Sequence, residues 1–158
     1  MSGRAEALAK RILDGAEGLA GYAEGLDAEQ WAKPVPGDGR SVGVVVHHVA
    51  SAYPIEVRLA QTIASGTAIE DVGWSDIHRM NAQHAADHAD VSQAEAVELL
   101  RRNASEAATL VRRFSDEELD TAAPVSLNAG APLTAQFFIE DHALRHSFHH
   151  LAKIREAF

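Results

Sequence analysis

The apolar residues of this chain recur mostly at helical intervals. Leu8, Ile12, Ala16, Leu19 and Tyr22 fall three and four residues apart, which places them on one side of a helix. Ser2 stands at an N-cap position, so a first helix is expected from there to about Leu26. Gly15, Gly18 and Gly21 interrupt the stripe. No strand pattern precedes them and no Lys-Ser/Thr follows. They therefore read as a surface for close helix packing, not as a phosphate loop. Asp27 to Arg40 holds two prolines and two glycines and is expected to be a loop, with Trp31 folded back on the core.

A second stripe, Val42, Val45, Val46, Val49, Ala52, Leu59 and Ile63, follows Ser41. It predicts a capped helix to about Ser65, ended by Gly66. Pro54 lies inside it and is expected to kink it about one turn beyond His47 and His48. After a loop to Gly73, a third helical segment is expected from about Ser75 to Asp90, carrying His78, Asn81, His84 and His88. Ser92 and Glu95 form a capping box for a helix through Phe114, with Ala96, Leu99, Leu100, Ala107, Leu110 and Val111 inward. The pattern leaves open whether 75–90 and 93–114 are one bent helix or two. Ser115 and Glu118 repeat the box and predict a short helical turn. Asp120 to Pro132 reads as non-helical, with a small hairpin near 125–133 around Asn128-Ala-Gly130. Thr134 caps a last helix running to Phe158. With no repeat or linker, the expectation is all-α: one domain, 1–158, built as a four-helix bundle with short extra helical turns.

Composition narrows the function. The 158 residues carry a formal charge of −9, from 23 acidic and 14 basic side chains. This predicts no nucleic-acid partner and no anionic membrane surface. Cysteine is absent, which excludes disulfides, thiolate ligands and a cysteine nucleophile. The first eleven residues alternate charge and alanine, without a signal-peptide core. No run approaches the roughly 20 apolar residues of a membrane span, so a soluble cytoplasmic protein is expected.

The last helix concentrates the chemistry. His142, His146 and His150 recur every four residues, and such neighbours meet on a helix surface. The strongest metal candidate joins His48 to His146 and His150, since bundles build metal sites from inward side chains of facing helices. Three neutral imidazoles suit zinc, nickel or ferrous iron and leave a position open. Val45, Val49 and Ala52 flank His48, while His47 points about 100° away and is expected behind the ligands or at the pocket rim. His142 is a candidate fourth ligand or pocket residue, and His149 a candidate hydrogen-bonding residue at the pocket edge. Glu56, Glu140 and Asp141 are candidates to orient a ligand histidine. His84 and His88 sit among Gln83, Asp87 and Asp90 and are expected on a solvated face, like His78. A hydrogen-bonded histidine core without metal is the plainer alternative. No Gly-x-Ser-x-Gly elbow supports a serine triad.

Ser41-Val-Gly-Val-Val-Val-His-His-Val-Ala50 and His146-Ser-Phe-His-His150-Leu-Ala-Lys-Ile154 resemble two stretches of the DinB/YfiT-like metalloenzyme superfamily. They are the start of its second helix and its closing histidine pattern. Trp31…Pro36 and Ser115-Asp-Glu-Glu-Leu119-Asp are also similar to that family. The resemblance implies an up-down-down-up four-helix bundle, often a homodimer, with the metal triad at His48, His146 and His150. It also implies zinc or nickel, with a low-molecular-weight thiol as co-substrate in some branches. Val44 stands where an acidic residue is usual, and Ala152-Lys153 where Gly-Gln is usual. The expected function is a metal-dependent thiol S-transferase or hydrolase acting on a small molecule. The alternatives are a non-catalytic metal-binding or stress-response module and a dimeric structural bundle. Phe137, Leu144, Phe148 and Leu151 lie away from the His146/His150 side, which suggests a dimer face.

Overall fold

The computed structural model describes residues 2–158. Helix α1 spans Gly3–Glu24, and the Ala5 N–H donates to the Ser2 hydroxyl at 3.1 Å. A short α2, Ala28–Ala32, is closed by a capping box between Asp27 and Gln30. Trp31 of α2 does fold back on the core. Its indole N–H donates to the Val91 carbonyl at 3.0 Å, and its ring lies so close to Gly43 that a Cβ there would be 2.5 Å from Nε1.

Helix α3, Val42–Ala64, is capped by Ser41 and runs on through Pro54. Proline has no N–H for the carbonyl four residues back, that of Ala50. The Asn103 side-chain amide donates to this carbonyl instead, at 2.8 Å. A neighbouring helix thereby supplies the bond that the proline removes.

The 75–114 region is two helices, α4 (Trp74–Asp87) and α5 (Gln93–Val111). The Ser92/Glu95 capping box starts α5 afresh. Helix α4 buries no residue and lies outside the bundle. The second capping box opens α6, Asp116–Asp120. Strands β1 (Ala122–Val125) and β2 (Ala131–Thr134) pair antiparallel, Pro124 opposite Pro132. The hairpin thus begins three residues earlier than the turn signal suggested. Strand β2 is an edge, and Pro124 of β1 offers its carbonyl, not an N–H, to Ile69, so both strands tolerate proline. Ile69 docks on the hairpin: its N–H donates to the Pro124 carbonyl and its carbonyl accepts from the Ser126 N–H, both at 2.9 Å.

The last helix is not regular. It comprises α7 (Ala135–Ile139), a π turn (Glu140–Leu144) and α8 (Arg145–Arg155). Four long pieces make the bundle: α1, α3, α5 and the α7–α8 unit. Helix α5 packs between α1 and α3, and α8 packs against α1 and α3. The topology is up-down-down-up. The long 65–92 connection lets α3 and α5 run side by side in the same direction. The core holds Leu8, Ile12 and Leu19 from α1, with Val45, Val57 and Ile63, Leu100 and Val111, Ile139 and Ile154 from the other three pieces. Of the glycines in α1, only Gly15 is needed for contact: a Cβ there would meet Phe148 at 2.7 Å, while Gly21 faces open space. Leu151 is buried, whereas Phe137 and Phe148 remain half exposed. Among the described residues, no helix is long and apolar enough to cross a membrane.

Candidate metal centre

His48 of α3 meets His146 and His150 of α8. One ligand atom of each lies within 4.8 Å of the others. His48 Nε2 is 3.1 Å from His146 Nε2, and the ring centres of His146 and His150 are 4.8 Å apart. The π turn decides which histidines take part. It ends at Leu144, so His146 and His150 keep the regular one-turn step of α8. His142, inside the π turn, leaves the row. Its ring stacks on Phe138 at 4.2 Å, and it is absent from the three-histidine group.

The carboxylates behave differently from one another. Glu56 is buried, and its Oε1 lies 2.9 Å from His146 Nδ1. The two are not aligned as a hydrogen bond, and Glu56 Oε2 and His146 Nδ1 are both buried without a partner. Asp141 turns to Arg145 at 3.2 Å and stays 3.9 Å from His142. Glu140 pairs with Arg11 at 2.9 Å. Only Glu56 therefore stands behind a member of the triad. His149 is exposed, its ring centre 5.2 Å from that of His150.

Burial, helped by the nearby charges of His146 and Arg40, pushes His48 down to about 2. Burial likewise pushes His150 down to about 3. Both rings are thus neutral near pH 7, the form that binds a cation. His150 Nδ1 is also buried and unpaired. Three converging imidazoles, with orphaned ring nitrogens on His146 and His150 and one carboxylate behind them, fit a divalent ion of the zinc type. Arg40, a loop residue with no signal in the sequence pattern, bears on His48, His84 and His150 through its charge. It is held by Asp38 at 2.6 Å.

The triad borders a cavity of about 360 Å³. Its apolar wall comes from α3 (Ile55, Leu59), the 65–73 loop (Ile69, Val72), α4 (Trp74, Ile77), the hairpin (Val125) and α7 (Phe138). His142, Arg145 and His149 supply its polar rim.

A second group escaped the sequence reading. His84 and His88 are not on a solvated face. They are half buried against His47, and these three also place one ligand atom each within 4.8 Å. His47 is itself buried, so it is neither behind the triad nor at the rim of its pocket. His78 is exposed, beside Trp74. The signal available was the i, i+4 pair together with the adjacent His47, but nothing in the sequence says that α4 folds back along α3.

A four-helix bundle that gathers histidines from two helices beside an apolar pocket defines a class of candidate metalloproteins. The chain belongs to the DinB superfamily, whose model matches residues 14–154. Two solved structures share the fold. One is YfiT from Bacillus subtilis, described as a probable metal-dependent hydrolase with an unusual four-helix bundle topology. It is 16% identical, with a TM-score of 0.77 over 99% of this chain and 87% of that one. The other is the colibactin self-resistance protein ClbS in complex with a dsDNA. It is 18% identical, with a TM-score of 0.73 over 97% and 94%. A comparison with curated proteins finds no match.

The ClbS complex overturns the expectation that nucleic acid is excluded as a partner, since a protein of this fold is found on duplex DNA. Net charge sums over a whole surface, while phosphate contacts need only a local group of donors.

Proposed function

We propose that this chain is a metal-dependent enzyme whose divalent ion, zinc or nickel, is held by His48, His146 and His150. The observation that carries the reading is the placement of three converging imidazoles at the edge of a 360 Å³, mainly apolar cavity. A structural site would be closed on all sides, whereas a catalytic one keeps a side open to substrate. The ion supplies Lewis-acid polarisation and activates a nucleophile at neutral pH.

The chain's own residues do the rest. Glu56 Oε1 stands 2.9 Å from His146 Nδ1 and needs realignment to accept its hydrogen and orient the ring. The wall of Ile55, Leu59, Trp74 and Phe138 takes an apolar substrate and excludes water. His149, exposed at the rim, is placed to move a proton. The reaction is hydrolysis or thiol S-transfer. The description of YfiT as a probable metal-dependent hydrolase favours the first. Because the chain has no cysteine, the second needs a low-molecular-weight thiol as co-substrate. Duplex DNA belongs among the substrates tested, given the ClbS complex.

The test is to strip the protein with a chelator and reload it with zinc or nickel. Wild type is then compared with His48→Ala/His150→Ala for metal per chain. Equal metal in both sinks the triad. The loaded protein is next incubated with esters, amides and electrophiles, with and without small thiols. Metal at the triad with no turnover across the panel would instead assign a non-catalytic binding module.

A further inference from the structure

The histidine group formed by His47, His84 and His88 lies outside the pocket just described. His47 is the neighbour of His48 on α3, but it points about 100° around the helix, toward α4. His84 sits in the last turn of α4 and His88 at its C-cap. The ring centres of His47 and His88 are 3.9 Å apart, those of His84 and His88 4.7 Å, and those of His47 and His84 5.0 Å. His47 Nδ1 faces His84 Nε2 at 2.9 Å, and one nitrogen of each ring falls within 4.8 Å of the other two. Ligand nitrogens around a tetrahedral zinc stand about 3.3 Å apart, from bonds of about 2.0–2.1 Å. Modest ring rotations reach that spacing.

Three further observations point to a cation. His84 Nδ1 is buried without a hydrogen-bond partner, so this side chain has an unmet polar contact. The C-terminal end of a helix carries partial negative charge, and two of the three rings are at that end of α4. An open groove of about 610 Å³ leads to His47 and His88, and Asp87, Asp90 and Glu95 line it. That acidic mouth attracts cations. A fourth point concerns stability. Helix α4 buries no residue, so little apolar burial holds it to the bundle, yet its Trp74 and Ile77 form part of the wall of the first pocket.

We propose that His47, His84 and His88 form a second divalent-metal site that ties α4 to α3 and so fixes the outer wall of the substrate pocket. This site is independent of the reading given for His48, His146 and His150. Two ligands come from the last turn and C-cap of α4 and one from the facing helix, so the ion acts as a clasp between elements. The clasp leaves the chemistry to the pocket on the other side of His48.

The test is a zinc titration of the chelator-stripped full-length protein, read as metal per chain, with hydrogen exchange followed along α4. Wild type is expected to take two equivalents. His84→Gln/His88→Gln is expected to take one, as is His48→Ala/His150→Ala. Circular dichroism checks that each variant is folded, and single His88→Gln serves if the double variant is not, with zinc affinity at this site expected at least about tenfold weaker. Zinc should slow exchange in α4 in wild type and in His48→Ala/His150→Ala, but not in His84→Gln/His88→Gln. A single equivalent that disappears with His48→Ala/His150→Ala overturns the second site and leaves the first standing. A single equivalent that disappears with His84→Gln/His88→Gln does the reverse. Two equivalents retained by His84→Gln/His88→Gln, or α4 exchange indifferent to zinc in wild type, also overturn the clasp.

Discussion

His48 Nε2 and His146 Nε2 stand 3.1 Å apart across the α3–α8 interface. A proton added to His48 would have to sit as a charge in a buried place, facing a ring that offers no counter-charge. That is why burial, followed by the charge of His146, drives His48 down to about 2. The same causes drive His150 to about 3.

A pH dependence follows. An unfolded histidine takes a proton near pH 6.5, while folded His48 and His150 refuse one until about pH 2 to 3. Between those limits the unfolded chain binds more protons, so stability falls as pH falls. It is complete above about 6.5 and is lost progressively below. Urea unfolding of the metal-free protein should show its midpoint dropping between pH 7.5 and 5.5, above the range where carboxylates titrate. In His48→Gln/His150→Gln the drop should shrink. A midpoint flat across that range in wild type would refute the buried neutral pair.

Glu56 gives a sharper test of the triad. Its Oε1 is 2.9 Å from His146 Nδ1, and carboxylates behind a ligand histidine raise its basicity and fix its ring. Glu56→Gln keeps the shape and removes the charge. Zinc affinity at the triad should weaken by about 10- to 100-fold, with the helical circular dichroism spectrum unchanged. Competition with a chromophoric chelator measures it, and an unaltered affinity would leave Glu56 as a pocket residue only.

Pro54 and Asn103 make a separable pair. Asn103→Ala leaves the Ala50 carbonyl without the bond that proline denies it, at a cost of about 1–3 kcal/mol for a buried acceptor. Pro54→Ala restores a backbone donor at that position. The Asn103→Ala penalty should therefore be smaller in a Pro54→Ala background. Equal penalties in the two backgrounds, read from urea midpoints, would mean that the amide does not substitute for the missing N–H.

The elements that sequence disclosed are those ruled by local physics. Burial on one helix face imposes the stripe of Leu8, Ile12, Ala16 and Leu19, and capping boxes at Ser92 and Ser115 mark helix starts whatever the fold around them. The nearness of His48 to His146 and His150 follows from bundle geometry once α3 and α8 are placed side by side. What stayed illegible depends on tertiary placement. The π turn at Glu140–Leu144 has no composition of its own, so the regular spacing of His142 misleads. The bond that Asn103 gives the Ala50 carbonyl could not be read beside Pro54, because it comes from a helix some fifty positions later. His84 and His88 look solvated because their polar neighbours are real; only the course of α4 brings them to His47.

Tyr53 and Ser147 share a buried hydrogen bond of 2.5 Å between α3 and α8. Burial pushes the Tyr53 phenol well above its ordinary value, so it stays protonated through neutral pH. Ser147 is wholly buried and adjoins His146, so this bond ties α3 to α8 one residue from the triad. Ser147→Ala strands the phenol hydroxyl, with an expected loss of about 1–3 kcal/mol. Tyr53→Phe/Ser147→Ala removes both partners and should cost less than the sum of the single changes. If the bond also holds His146 in register, Ser147→Ala should weaken zinc binding at the triad, and Tyr53→Phe should do so as well. Two single variants that lose stability but keep wild-type zinc affinity would confine the pair to folding.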